Sequence, residues 1–130
     1  MSRFSRLLTA AGAVAMLCAV AFGAFGAHVL RNRLTADAMA VFHTGVEYHF
    51  YHALGLMLIG QLAAVHAHSR LLRWAGLLVA AGIVLFSGTL YAIALTGVRG
   101  WGAITPFGGL AWLLAWALVA AAMWRGRRSA

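Results

Sequence analysis

Hydrophobic and polar positions fall in long blocks along this chain rather than in short alternations. Four blocks, residues 7–29, 48–65, 74–96 and 104–124, contain no Arg, Lys, Asp or Glu. At 1.5 Å per residue, each is long enough for a helix crossing a hydrocarbon core about 30 Å thick. Backbone in lipid must satisfy its own hydrogen bonds, so these blocks predict helices despite their Val, Ile and aromatic content. The pattern predicts an all-α fold: one integral-membrane domain over residues 1–130, built as a four-helix bundle. Thr105 followed by Pro106 has the form of an N-cap with Pro in the first turn of the last span. Trp124 and the cluster Arg125, Arg127 and Arg128 mark its end.

Residues 34–47 are too polar to cross but are still patterned. Thr35 has the form of a cap with Asp37 in the first turn, and Met39, Phe42 and Val46 form one apolar stripe. This predicts a short interfacial helix between spans one and two, either bending at Gly45 or running straight on into span two. The first span has a rival reading as a signal peptide, with Arg3 and Arg6 ahead of an apolar run and Ala24-Phe25-Gly26 as a small-x-small site. The run continues past that site to Val29, which favours a retained span. Leu17 before Cys18 is not small, which argues against a lipoprotein anchor.

Small residues recur every fourth position in two spans: Ala11, Ala15, Ala19, Gly23 and Ala27 in the first; Gly76, Ala80, Gly88 and Ala92, interrupted by Val84, in the third. Such spacing keeps them on one helix face, where close backbone approach drives association in lipid. Packing inside one bundle is the first reading and a self-association face the second. Gly23, Gly26, Gly88 and Gly109 are the expected helix-packing glycines. Spans one–two and three–four share only a loose small-residue pattern, which does not support an inverted-repeat transporter.

Composition narrows the class further. The chain is 64% hydrophobic and 9% charged, against roughly 45–50% and 25% in soluble domains. That excludes an ordinary soluble enzyme. The net charge of +8 comes from ten Arg against Asp37 and Glu47. The Arg residues flank apolar blocks, as residues that orient spans and meet anionic headgroups do, so the bilayer and not nucleic acid is the expected partner. Arg3, Arg6, Arg70, Arg73, Arg125, Arg127 and Arg128 fall on one side, and Arg31, Arg33 and Arg99 on the other. The positive-inside rule then puts both termini in the cytoplasm. With Cys18 the single cysteine, no internal disulfide exists.

The six histidines carry the candidate chemistry. His28, His43, His49 and His52 fall on the outer side, whereas His66 and His68 read as solvated loop residues beside Arg70. Imidazole with carboxylate suits zinc, copper, nickel or iron, and imidazole also suits haem or a proton relay. The spacing matches no established metal motif, so no cofactor is called for. The plainer reading is hydrogen bonding between helices, with His43 and His49 facing headgroups. Ser87, Thr89 and Tyr91 form a second polar group in span three, and Gln61 is expected to face another helix. The sharpest structural expectation is one outer polar pocket made by His28, Tyr48, His52, Ser87, Tyr91 and Thr105, with Thr96 at the same depth. The Gly97–Gly102 stretch lacks the strand–turn–helix setting of a nucleotide site, and no Ser–His–Asp arrangement is available.

Four motifs in order, Gly23-Ala24-Phe25-Gly26-Ala27-His28, Gly45-Val46-Glu47-Tyr48-His49-Phe50-Tyr51-His52-Ala53-Leu54, Phe86-Ser87-Gly88-Thr89-Leu90-Tyr91 and Gly102-Ala103-Ile104-Thr105-Pro106-Phe107-Gly108-Gly109, resemble the bacterial domain-of-unknown-function 423 family. That family is related to the eukaryotic transmembrane protein 256 group. The resemblance covers nearly the whole chain and implies a small four-span inner-membrane protein with no assigned activity and a retained first span. It draws attention to His28, Tyr48, His52, Ser87, Gly88, Tyr91, Thr105, Pro106 and Gly109. It leaves out His43 and His49, which counts against a four-ligand metal site. The expected function is a non-enzymatic structural or accessory membrane component, self-associating or joined to a membrane-protein partner. The alternative is a small-molecule, proton or metal/haem-binding protein using the outer pocket, extending to an oligomeric transporter.

Overall fold

The computed structural model describes residues 1–126; Arg127 and Arg128, counted above in the cytoplasmic cluster, lie outside them. Five α-helices account for most of the described chain: α1 (Arg3–His28), α2 (Ala36–Val65), α3 (Arg70–Gly82), α4 (Thr89–Thr96) and α5 (Thr105–Gly126). A π-helical segment, Ile83–Gly88, joins α3 to α4 in one rod, and short 3-10 turns at Leu30–Asn32 and Arg99–Ala103 link the outer ends.

Local chemistry sets these boundaries. Ser2, Thr35 and Ser69 sit in extended conformation before α1, α2 and α3, and each hydroxyl accepts the backbone N–H three residues on. α4 stops at Gly97, whose φ of +70° is left-handed and whose N–H returns to the Ile93 carbonyl. Pro106 stands in the first turn of α5. The Thr105 hydroxyl, expected as the cap there, bonds Thr89 at 2.7 Å instead.

Rods Arg3–Asn32, Arg70–Thr96 and Arg99–Arg125 are the three helical stretches, among the described residues, long and apolar enough to cross a membrane. α2 has the length, 30 residues, but Tyr48, His49, Tyr51, His52 and Gln61 dilute its apolar character. The separate interfacial helix does not occur as an element. Residues 36–47 form the first turns of α2, which runs straight through Gly45. There the helix lies so close to α4 that a Cβ would fall 2.9 Å from the Tyr91 ring.

α1 runs antiparallel to α2 along a seam of Ser5, Gly12, Ala19 and Gly26, all buried at seven-residue spacing. A Cβ at Gly12 would stand 2.8 Å from the Met57 nitrogen and 3.0 Å from the Ala53 carbonyl, and one at Gly60 would stand 2.9 Å from the Thr9 nitrogen. Backbone therefore meets backbone across this pair. α5 packs on α3 and the π segment, and α2 joins the two pairs through α3 and α4. Backbone proximity follows a row, which side chains fold together: a Cβ at Gly76 of α3 would meet Leu8 of α1, and His52 of α2 meets Trp112 and Trp116 of α5. Between α1 and the α3–α4 rod lies an open apolar groove of about 620 Å³, floored by Leu56 and His49. Its walls carry Ala11, Ala15, Ala80, Val84 and Gly88, so the two small-residue stripes face each other across a gap instead of touching.

Candidate functional site

Buried polar side chains concentrate where α2 meets the α3–α4 rod and α5. His52 is the centre of one group and is 7% exposed. Its Nδ1 lies 2.8 Å from the Tyr48 carbonyl, and its Nε2 lies 3.3 Å from the Trp116 indole nitrogen. A carbonyl only accepts and an indole N–H only donates, so the proton sits on Nδ1 and Nε2 is the acceptor. The ring is thus a neutral imidazole with both nitrogens engaged. It lies flat on Trp112, centroids 3.5 Å apart and planes 6° from parallel. Trp112 donates its own N–H to the Val79 carbonyl at 3.2 Å. Two glycines make room for this stack: a Cβ at Gly82 would collide with the Trp112 indole, and one at Gly55 would fall 2.8 Å from Trp116.

A second group lies one turn earlier on α2, on the adjoining face. His49, 5% exposed, has Nδ1 2.9 Å from the Tyr91 hydroxyl, and its ring also reaches the backbone of Ala15. Tyr91 sits between Phe22 and Phe42, at centroid distances of 4.7 and 5.2 Å. One histidine–tyrosine pair thereby ties α1, α2 and α4 together.

A third group accompanies the π segment. A π turn shifts the helix hydrogen bonds by one residue and disturbs the carbonyls around it. The Thr89 hydroxyl reaches the Leu85 carbonyl at 2.6 Å and the Phe86 carbonyl at 3.0 Å, and also contacts Thr105. Gly108 lets α5 press against the same turn, where a Cβ would be 2.9 Å from the Leu85 carbonyl carbon. Ser87 is fully buried within the segment, and its Oγ has no hydrogen-bond partner among the described residues.

The six expected pocket residues therefore occupy several places. Tyr48 and His52 share the tryptophan stack, Tyr91 belongs with His49, Thr105 with Thr89, and Ser87 is enclosed in the π segment. His28 is exposed at the end of α1. Thr96 bonds the Ala92 carbonyl of its own helix. Gln61 reaches across to Thr9 of α1 at 3.2 Å. Among the expected packing glycines, Gly26 lies against the Phe42 ring, Gly23 touches Val46 at ordinary contact distance, and Gly88 and Gly109 have no neighbour closer than 3.9 Å. His49, read from sequence as facing headgroups, is buried, and the partners of His52, Trp112 and Trp116, were not singled out in the sequence. Two mid-span tryptophans four residues apart were the available signal, since each indole N–H needs an acceptor in lipid.

Among the described residues, no group of three or more His, Cys, Asp or Glu side chains is placed to hold a metal ion. A metal at His52 would have to take Nε2 from Trp116, and at His49 would have to compete with Tyr91.

The model of a family described as protein of unknown function, DUF423, matches residues 22–109. The chain is 46% identical over 111 residues to the UPF0382 membrane protein YwdK of Bacillus subtilis, covering 85% of this chain and 90% of that one. It is 41% identical over 114 residues to the UPF0382 membrane protein SH2409 of Staphylococcus haemolyticus, covering 88% and 92%. It is 39% identical over 115 residues to the UPF0382 inner membrane protein YgdD of Escherichia coli K12, covering 88% and 87%. No solved structure matches. With the family model across its middle, these relatives along most of its length and three apolar helical rods, the chain belongs to the DUF423 family of membrane proteins of unknown function.

Proposed function

We propose that this protein is a non-enzymatic structural or accessory component of the bacterial inner membrane, a single four-span domain with both termini cytoplasmic. The observation that carries this reading is the state of His52. Its two nitrogens and its ring face are all committed to Tyr48, Trp116 and Trp112, leaving no lone pair for a metal and no free site for proton exchange. His49 and Thr89 are used in the same way, as links between helices. Polar side chains that bond across helices are a common source of cohesion in lipid.

α2 serves as the fourth span in this reading. It lies antiparallel to α1, and its Gly60 packs beside Thr9 near the opposite end from the Gly26–Phe42 contact. A helix matched to a spanning partner over that length crosses with it.

Metal analysis and an absorption spectrum of untagged protein in mild detergent test the reading. A colourless, metal-free protein whose His52→Ala variant loses only thermal stability is the expected result. A stoichiometric metal or a haem band that disappears in His52→Ala overturns it.

A further inference from the structure

The outer halves of α1 and α2 line an open groove of about 590 Å³. Its walls are apolar: Met39, Phe42, Val46 and Phe50 on α2, with Gly23 and Gly26 on α1. Glu47 stands on its rim, one of only two acidic residues in a chain of net charge +8. The Tyr51 hydroxyl donates to Glu47 Oε1 at 2.7 Å, which fixes the carboxylate and leaves Oε2 to accept from a ligand. His43, one turn toward the end of the helix, lines the same rim.

We infer that this groove binds a lipophilic organic monocation, its charge on the Glu47 carboxylate and its apolar body on the half-buried Met39 and Phe50. A carboxyl side chain on a spanning helix is a candidate ligand contact. Aromatic walls beside a carboxylate favour a weakly hydrated cation over a small, strongly hydrated one. The order of charges disfavours an aminophospholipid headgroup. Val46 and Phe50, which flank Glu47, pack at the level of Gly23, five residues inside the α1 end at His28, or about 7.5 Å at 1.5 Å per residue. Arg31 and Arg33 lie beyond that end. In such a lipid the amine is outermost and the phosphate lies between it and the chains, the reverse of carboxylate below and guanidinium above. The inference rests on α2 crossing as the fourth span in the reading above, but not on the accessory role itself.

Equilibrium dialysis of the full chain in a neutral maltoside detergent, with tetraphenylphosphonium as probe, tests it. The expected result is saturable binding that weakens at least about tenfold in Glu47→Gln. That variant keeps an acceptor for Tyr51. Asp37→Asn, with the same loss of charge, binds like the parent. Tetraphenylborate, of the same shape and opposite charge, shows no dependence on residue 47. If Glu47→Gln aggregates on size exclusion, Glu47→Asp decides, since retained charge should retain binding. Equal binding by parent and Glu47→Gln, absence of saturable binding, or loss of it in a monodisperse Glu47→Asp overturns the inference. Displacement of the probe by phosphatidylethanolamine makes a lipid the occupant and overturns it too.

Discussion

His52 shows how much one side chain can hold in a membrane interior. Replacing it with Phe keeps the flat contact with Trp112 but strands the Trp116 N–H. It also leaves the Tyr48 carbonyl without its side-chain donor. The expected cost is about 1–3 kcal/mol, the range for unsatisfied buried groups, read as a lower midpoint of thermal unfolding in detergent. Tyr91→Phe is milder, since it removes one hydroxyl and keeps the ring between Phe22 and Phe42. About 0.6 kcal/mol is expected, the average for a hydrogen bond between membrane helices. If the two variants lose equal stability, the stack around His52 is not the stronger link. His52 was legible as a buried polar residue because histidine amid apolar positions has few other places to go. Its partners were not, since helix rotation decides which of several tryptophans it meets. His49 was misjudged for the same reason: one position along a helix turns a side chain by about 100°.

At the scale of elements, the π segment and the glycines around it make opposite predictions for one substitution. At Gly108 a Cβ would lie 2.8 Å from the Phe86 Cβ and 2.9 Å from the Leu85 carbonyl carbon. Backbone on the other side cannot rotate away, so Gly108→Ala must push α5 off the rod, at a cost of about 1–3 kcal/mol. At Gly88 the nearest atom is the Ile83 carbonyl oxygen at 4.0 Å. Gly88→Ala should be neutral or stabilising by up to about 1 kcal/mol through helix propensity. Thermal unfolding of the two variants side by side separates them, and a destabilised Gly88→Ala would mean that the groove beside it is occupied. The sequence reading singled out Gly88 as a packing glycine and passed over Gly108, where the close approach occurs. Block length showed the helices and their ends, because lipid permits little else, and the caps at Thr35 and Ser69 follow from local chemistry. The π turn has no local signature: Thr89 is one residue that both suits it and occurs freely in ordinary helices. Of the two paths left open at Gly45, the helix takes the straight one, and the glycine serves a close approach to Tyr91.

For the whole molecule, the row of α1, α2, the α3–α4 rod and α5 turns orientation into a question about three loops and two ends. Arg3, Arg6, Arg70, Arg73 and Arg125 lie at one end of the row, and Arg31, Arg33 and Arg99 at the other. That distribution follows the positive-inside pattern only if α2 crosses. α2 is therefore decisive. If α2 crosses, Ser2 and Ser69 share a side and Asn32 lies opposite; if it lies on the surface, Asn32 and Ser69 share a side. Single cysteines at these three positions, in a Cys18→Ser background that removes the one native thiol, separate the two. A membrane-impermeant maleimide applied to intact spheroplasts should label Asn32→Cys and spare Ser2→Cys and Ser69→Cys until the membrane is opened. Labelling of Ser69→Cys from outside would remove α2 from the membrane. The tryptophan–histidine stack and the antiparallel glycine seam would then need another explanation, because both require α2 to run the full height of its neighbours.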